Sequence, residues 1–176
     1  MPTFPVMREV TPGDAAFLRR VYASTRQQEL ALLPLDDAAR QAFLEMQFAA
    51  QDRQFRQQES ARFLVISHGG QDVGRLTLAR EAGTPGTPGT IRIMDIALLP
   101  LWRGQGLGTA VLRGVTEEAE QHGLNLQLYV EEHNPARRLY ERLGFRVAEV
   151  HPVYTRMVRS PTAWPASARS AEDPID

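Results

Sequence analysis

Apolar positions in the first part of the chain recur at helical spacing. Ala15, Leu18, Val21, Tyr22 and Thr25 share one side of a 3.6-residue period, which predicts a long amphipathic helix over about 12 to 31. Thr11 before Pro12 suits an N-cap followed by the first helical position. Leu33-Pro34-Leu35 breaks the pattern, and Asp36 or Asp37 can cap a second helix that carries Ala39, Phe43, Met46 and Ala50 and ends before Ser60. Ahead of both helices, Phe4 to Val10 reads as a strand.

The period then changes. Phe63-Leu64-Val65-Ile66 inside 62–68 marks a buried strand, and Gly69-Gly70 turns it into a partner from Asp72 to Arg80. Gly-Thr-Pro-Gly-Thr-Pro-Gly at 83–89 cannot hold a regular ladder, so 81–90 is expected to be a mobile hairpin loop. Ile91 to Leu99 is the next strand and Pro100 ends it. Val111, Leu112, Val115 and Ala119 line one side of a helix that runs to a Gly123 C-cap. Leu124 to Val130 alternates strictly, a short helix covers Pro135 to Leu143, and Phe145 to Val150 with Val153 to Val158 close the pattern as two strands.

The resulting order, βααβββαβαββ, is a mixed α/β class and excludes an all-helical or all-β fold. One domain over 1–159 accounts for every element. Residues 160–176 are rich in Ser, Ala and Pro, with Trp164 the exception, and are expected to be disordered or loosely docked.

Composition narrows the function classes. At 176 residues and 43% hydrophobic content, the chain is large enough for a real core. Its 20 basic and 21 acidic residues are well mixed, which leaves no nucleic-acid footprint. There is no cysteine, so disulfides, thiolate metal sites and a covalent relay through a cysteine thioester are excluded. His68, His122, His133 and His151 lack a ligand spacing, and no metal is expected. No apolar run approaches a membrane span and Met1-Pro2-Thr3-Phe4 is unlike a signal peptide, so a cytoplasmic protein without a membrane partner is expected.

The segment most loaded with chemistry is Arg103-Gly104-Gln105-Gly106-Leu107-Gly108, which joins the Ile91–Leu99 strand to the following helix. Glycines let backbone N–H groups approach a phosphate, and the helix N-terminus adds unpaired donors and its dipole. The dinucleotide fingerprint fails in both registers, because its last position falls on Thr109 or Val111. The P-loop fails as well, since no Gly-Lys-Ser/Thr closes the segment.

What remains, R-x-x-G-x-G, resembles the cofactor motif of the GNAT superfamily of acyl-CoA-dependent N-acyltransferases. A second stretch, Asn134-Pro135-Ala136-Arg137-Arg138-Leu139-Tyr140 closed by Gly144-Phe145, resembles that family's second signature. The resemblance implies a central mixed sheet of about seven strands with about four helices, parting between the fourth and fifth strands. It implies acetyl-CoA as co-substrate, with its pyrophosphate on the main chain of Arg103, Gly104, Gln105, Gly106, Leu107, Gly108 and Thr109. The pantetheine arm would run beside the main chain of Ile96, Ala97 and Leu98, and Asn134 would contact the arm, although it stands one residue closer to Tyr140 than in many relatives. Tyr140 would protonate the departing thiolate.

The base is less defined. Where several relatives carry a carboxylate on the fourth strand, this chain has Arg92 and Met94. Asp95 is the nearest acid, though strict alternation turns it to the other face unless a bulge intervenes, and Glu131, Glu132 or an ordered water are alternatives. The acceptor implied is an amine of a small molecule or peptide, met by the first two helices and the 81–90 loop, with Tyr22, Phe43, Phe48 and Phe55 as possible walls. The protein is expected to be a monomer or homodimer. A non-catalytic acyl-CoA sensor and an interaction module on the same scaffold are the competing readings.

Overall fold

The computed structural model describes residues 4–162. Its seven strands follow the order β1-β2-β3-β4-β5-β7-β6 in one mixed sheet, where β1 is Val6–Glu9, β2 Ala61–His68, β3 Gln71–Glu81, β4 Thr90–Leu98, β5 Asn125–Glu131, β6 Arg146–Val150 and β7 Tyr154–Arg159. Four α-helices accompany them: α1 Ala15–Ala31, α2 Asp37–Arg56, α3 Leu107–Gln121 and α4 Arg137–Arg142. The element order is the one the periodicity predicts. Contacts divide the chain into two compact units, the first taking residues up to Thr77 with Asp95–Gly108, the second Leu78–Met94 with the chain from Thr109 onward.

In the first unit β1 pairs antiparallel with β2, Val6 opposite Ser67 and Glu9 opposite Leu64. The turn into β3 uses Gly69 and Gly70 at φ 58° and 78°, the double left-handed pair that favours glycine in a tight hairpin. Val21, Tyr22, Leu30, Leu64, Val65, Ile66, Val73 and Leu76 form the buried core. The first helix begins later than predicted. Pro12–Asp14 is a separate 3-10 turn, because the Asp14 carboxylate accepts bonds from Thr11 N at 2.7 Å and Thr11 Oγ1 at 2.9 Å and closes the turn on itself.

Arg8 fastens that turn to two strands. Its guanidinium meets both Asp14 oxygens at 2.8 and 2.9 Å and Asp72 Oδ2 at 2.8 Å. The second helix departs from expectation in a different way. Asp36 caps it as predicted, accepting from Ala39 N at 2.7 Å, yet none of its residues is buried and Met46 is 60% exposed. The half-buried stripe is Leu44, Phe48, Gln51 and Phe55, so the contacting face is offset from the one the apolar letters suggested and includes polar groups.

In the second unit the predicted stripe of α3 is the core: Val111, Leu112, Val115 and Ala119 are buried with Leu126, Leu128, Val130, Phe145 and Met157. Each large member of that stripe contributes on the order of 1.5–3 kcal/mol by leaving water. The parallel ladder of β4 with β5 pairs Thr90–Ile93 with Asn125–Leu128, while β4 continues to Leu98. β5 then pairs antiparallel with β7, and β7 with β6, where the register shifts at Ala148. The 83–89 stretch is more organised than expected. Thr84 and Thr87 exchange N–H···O bonds of 3.1 and 2.9 Å around Pro85 and Gly86 at φ 85°, and Asn125 N donates to Gly89 O at 2.8 Å.

Ordered contacts extend past Arg159. Pro161 is fully buried, and Thr162 donates from N and Oγ1 to Glu120, which also pairs with Arg159 at 2.7 Å. Burial pushes the Glu120 carboxyl up, but the bonds from Thr162 and Arg159 outweigh it and hold the group below its ordinary value. The rest of the predicted tail, Trp164 included, lies outside the described residues. Among the described residues no helix is long and apolar enough to cross a membrane.

Two outcomes are expected. The Arg8 hydrogen bonds, followed by those from Thr11, hold the Asp14 carboxyl well below its ordinary 3.8, so its contribution to stability is present above that value and is lost as pH falls below it. Urea titrations of wild type and Asp14→Asn should therefore differ at neutral pH and converge in acid. Gly74→Val should cost about 1–3 kcal/mol in the same assay, because a β-carbon there collides with the Ala97 carbonyl oxygen and stands 2.7 Å from Leu98 Cδ2.

Candidate functional site

The strand–turn–helix segment that carries the glycines is held by its own backbone and by its neighbours. Leu99 N donates to Val73 O at 2.8 Å, which seats the end of β4 beside β3. Pro100 ends the strand and opens a short 3-10 turn, Pro100–Trp102, with Trp102 N on Leu99 O and Arg103 N on Pro100 O. Gly104 and Gly106 follow at φ 72° and 81°, a left-handed backbone that penalises any β-carbon. Leu107, buried, opens α3.

Two side chains brace the turn from behind. Arg103 Nε donates to Leu98 O at 2.8 Å, and its Nη2 reaches Ser24 of α1 at 3.3 and 3.4 Å. Gln105 Nε2 donates to Leu101 O at 2.6 Å. Both polar side chains of the motif are thus turned onto protein carbonyls. What faces outward is backbone: residues 103–106 are exposed, and nothing lies within 4 Å of a β-carbon built on Gly104 or Gly106. The first N–H groups of α3 have no intrahelical acceptor, so open glycine backbone beside a helix N-terminus fits a phosphate ester. At Gly108 a β-carbon meets only Leu98 Cδ1, at 3.9 Å.

On β4, Ala97 is buried while Ile96 and Leu98 are half-buried. Leu98 O is occupied by Arg103, so of this trio the carbonyl of Leu98 is already committed. The regular alternation of burial lapses over Met94, Asp95 and Ile96. Asp95 Oδ2 lies 2.7 Å from Nε of Arg75, with side-chain exposures of 19% and 8%. Arg75 Nη2 also donates to Gln51 Oε1 at 3.0 Å, and the guanidinium lies 5.5 Å from the centroid of the Tyr22 ring. Arg92 faces Glu81 at 3.7 Å.

The second unit carries the remaining predicted residues. Asn134 Oδ1 accepts from Ala136 N at 2.9 Å, closing the turn that leads into α4. Tyr140 is 8% exposed, and its ring meets Phe145 edge-on at 5.9 Å. Tyr140 O accepts from Leu143 N and Phe145 N, which ends the helix at Gly144, φ 90°. Glu131 and Glu132 are exposed. Among the aromatic wall residues, Tyr22 is buried and packs 5.6 Å from Phe48, while Phe43, Phe48 and Phe55 are half-buried. An open groove between α1 and α2 is lined by Tyr22, Leu44 and Phe48 with Arg19, Arg20 and Glu45.

Sequence reading passed over Gly74 and Arg75. The signal for Gly74 was an isolated glycine inside a strand pattern, the mark of close backbone approach. The signal for Arg75 was a charge flanked by apolar residues of a buried strand.

With this geometry in hand, likeness to known proteins becomes informative. Residues 30–145 match the acetyltransferase (GNAT) family, and the chain belongs to that family. Mycothiol acetyltransferase of Corynebacterium glutamicum strain R is 40% identical over 72 residues, 40% of this chain, and the match spans 25% of that relative. Among solved structures, PaiA N-acetyltransferase of Thermoplasma acidophilum with coenzyme A superimposes at a TM-score of 0.64 and 14% identity, covering 89% of this chain and 98% of that one. An acetyltransferase of Thermus thermophilus gives 0.65 and 24%, covering 89% and 97%. At these identities the solved structures speak for the fold, including the mixed sheet of seven strands with four helices.

The glycines should separate by substitution. Gly104→Ala and Gly106→Ala are each expected to cost about 1 kcal/mol of stability through strained φ. Gly108→Ala is expected to be neutral or slightly stabilising, since it lies inside α3 with room for a methyl group. Urea midpoints of the three variants check this.

Proposed function

We propose that this chain transfers the acetyl group of acetyl-CoA directly to a primary amine of a small molecule or peptide. The observation that carries the reading is the open turn with two left-handed glycines, its side chains facing backward and α3 starting beyond it, in a chain of the acetyltransferase (GNAT) family. The family match and the name of the curated relative both support acetyl transfer. That relative is matched over a quarter of its length, so its own acceptor is not carried across.

In this reading the Arg103–Thr109 turn binds the pyrophosphate through the main chain from Gly104 onward, with Arg103 as a brace whose own N–H is taken by Pro100 O. Ile96 and Ala97 offer main-chain groups to the pantetheine arm. Asn134 meets the arm through its amide nitrogen, its oxygen being used by Ala136. Tyr140 supplies the proton to the departing thiolate, whose pKa is near an ordinary thiol's, about 8.5. Glu131 or an ordered water takes the proton of the amine. Asp95 is the weaker base because Arg75 already holds it. The absence of cysteine makes the transfer direct. A cytoplasmic monomer or homodimer agrees with this picture.

A non-catalytic acyl-CoA sensor is the second reading, and the engagement of Asp95 by Arg75 favours it. Thiol release from acetyl-CoA over a panel of amines is expected for the enzyme and absent for the sensor. Both readings require coenzyme A to raise the melting temperature by mass action. Gly106→Glu should abolish that rise, because it puts a bulky anion where the phosphates approach. A full thermal shift in the variant would remove the turn from the site.

Tyr140→Phe removes one hydroxyl and keeps the ring that packs on Phe145. Folding and the coenzyme A shift should survive, while kcat falls on the order of 10²-fold with little change in the KM of acetyl-CoA. Wild-type kcat would reduce the tyrosine to a packing residue.

A further inference from the structure

We propose that Arg75 is a positioning residue for the acceptor, supporting the α1–α2 groove from beneath and tying it to β4. The inference rests on the acetyl-transfer reading above together with the sequence expectation that the first two helices meet the acceptor, whose aromatic wall residues Tyr22 and Phe48 line this groove. It starts from what joins α2 to its neighbours, which is a set of half-buried side chains, a 3.3 Å bond from Tyr22 OH to Gln47 Oε1, and Arg75. No residue of that helix is fully buried, and a small gap lined by Leu18, Phe48, Gln51, Phe55 and Phe63 beside Arg75 has room for about one water.

One guanidinium bridges the elements involved. Arg75 on β3 donates to Gln51 of α2 at 3.0 Å, lies over the Tyr22 ring of α1 and contacts Asp95 of β4 at 2.7 Å. Tyr22 in turn packs on Phe48, and these two rings form the aromatic wall of the groove. Asp95 immediately precedes the β4 residues assigned to the cofactor arm. A shift of Arg75 therefore moves the aromatic wall, while β4 keeps its place through its own ladder and the Leu99 N to Val73 O bond.

The quality of the ion pair says what it is for. Arg75 Nε and Asp95 Oδ2 touch, yet neither atom makes a well-directed hydrogen bond, so the contact is charge attraction off the N–H axis. A buried pair of that kind adds little net stability, because lost hydration offsets the Coulomb gain, and an apolar pair of similar volume is commonly neutral or better. Orientation is what an apolar pair does not reproduce. A methionine and a leucine can fill the space but can neither hold Gln51 nor keep a cation 5.5 Å from the centre of the Tyr22 ring.

That difference makes the experiment. Arg75→Met, Arg75→Lys and the double variant Arg75→Met with Asp95→Leu are compared with wild type for melting temperature, the shift produced by coenzyme A, amide exchange along α2, and kcat and KM for an amine accepted in the panel. Arg75→Met leaves a carboxylate unpaired and should lower the melting temperature. The double variant should regain it. In the double variant the amine KM should nonetheless stay raised on the order of tenfold and α2 amides should exchange faster, with the coenzyme A shift unchanged. Arg75→Lys, which keeps the charge but not the planar fork, should fold normally and lie between.

Recovery of melting temperature, amine KM and α2 protection together in the double variant would make the pair purely structural and overturn the proposal. A collapse of kcat with unchanged KM would do so too, by making Asp95 the base. If wild type acetylates no amine while coenzyme A still binds, the acetyl-transfer reading fails by itself. Hydrogen exchange along α2 then decides whether Arg75 positions that helix.

Discussion

The close approach of β4 to β3 at Gly74 is the constraint on which the candidate site depends. The missing β-carbon lets the Ala97 carbonyl and the Leu98 side chain settle over the neighbouring strand, and Leu99 N closes on Val73 O beside it. From that seat the chain leaves β4 in one direction only. Pro100 stops the ladder, the 3-10 turn reverses the backbone, and Arg103 ties the result back to Leu98 O. A side chain at position 74 would push on all of these at once.

The turn shows why a motif with an arginine and a glutamine need not use either for binding. Both side chains are turned onto carbonyls of the turn itself or of its neighbours, an arrangement that braces the backbone and leaves the turn's glycines open to solvent. The turn is held by the hydrogen bonds behind it, and its shape demands glycine because only glycine tolerates φ near 72° and 81° without strain. The contact of Arg103 with Ser24 also links the turn to α1, so the first helix has a part in holding it.

The two helices of the first unit are attached by different physics. α1 buries Val21, Tyr22 and Leu30 and is anchored by apolar area. α2 is carried by half-buried rings, by Arg56 stacked 4.8 Å over Phe63, and by the Gln51–Arg75 bond. An element held mainly by polar and edge contacts opens at lower free energy than one seated in a core.

Much of this molecule was legible in its sequence. Strict alternation from Leu124 to Val130, the α3 stripe and the two glycine-bearing signatures report local periods and backbone requirements, which depend on neighbours a few residues away. The element order and the glycine turn before α3 followed from them, and so did the turn at Gly69-Gly70. Other features depend on partners far along the chain. The offset face of α2 was hidden because its buried side is partly polar, with Gln51 answering a guanidinium twenty-four residues on. The fate of Asp95 was hidden for the same reason: alternation assigns a face, while only the fold brings Arg75 within 2.7 Å and turns a free carboxylate into one end of an ion pair. The sequence by itself determined which elements form and where glycine leaves the backbone open. Tertiary structure alone decided which charges neutralise one another, because burial and pairing are set by residues that meet only after folding.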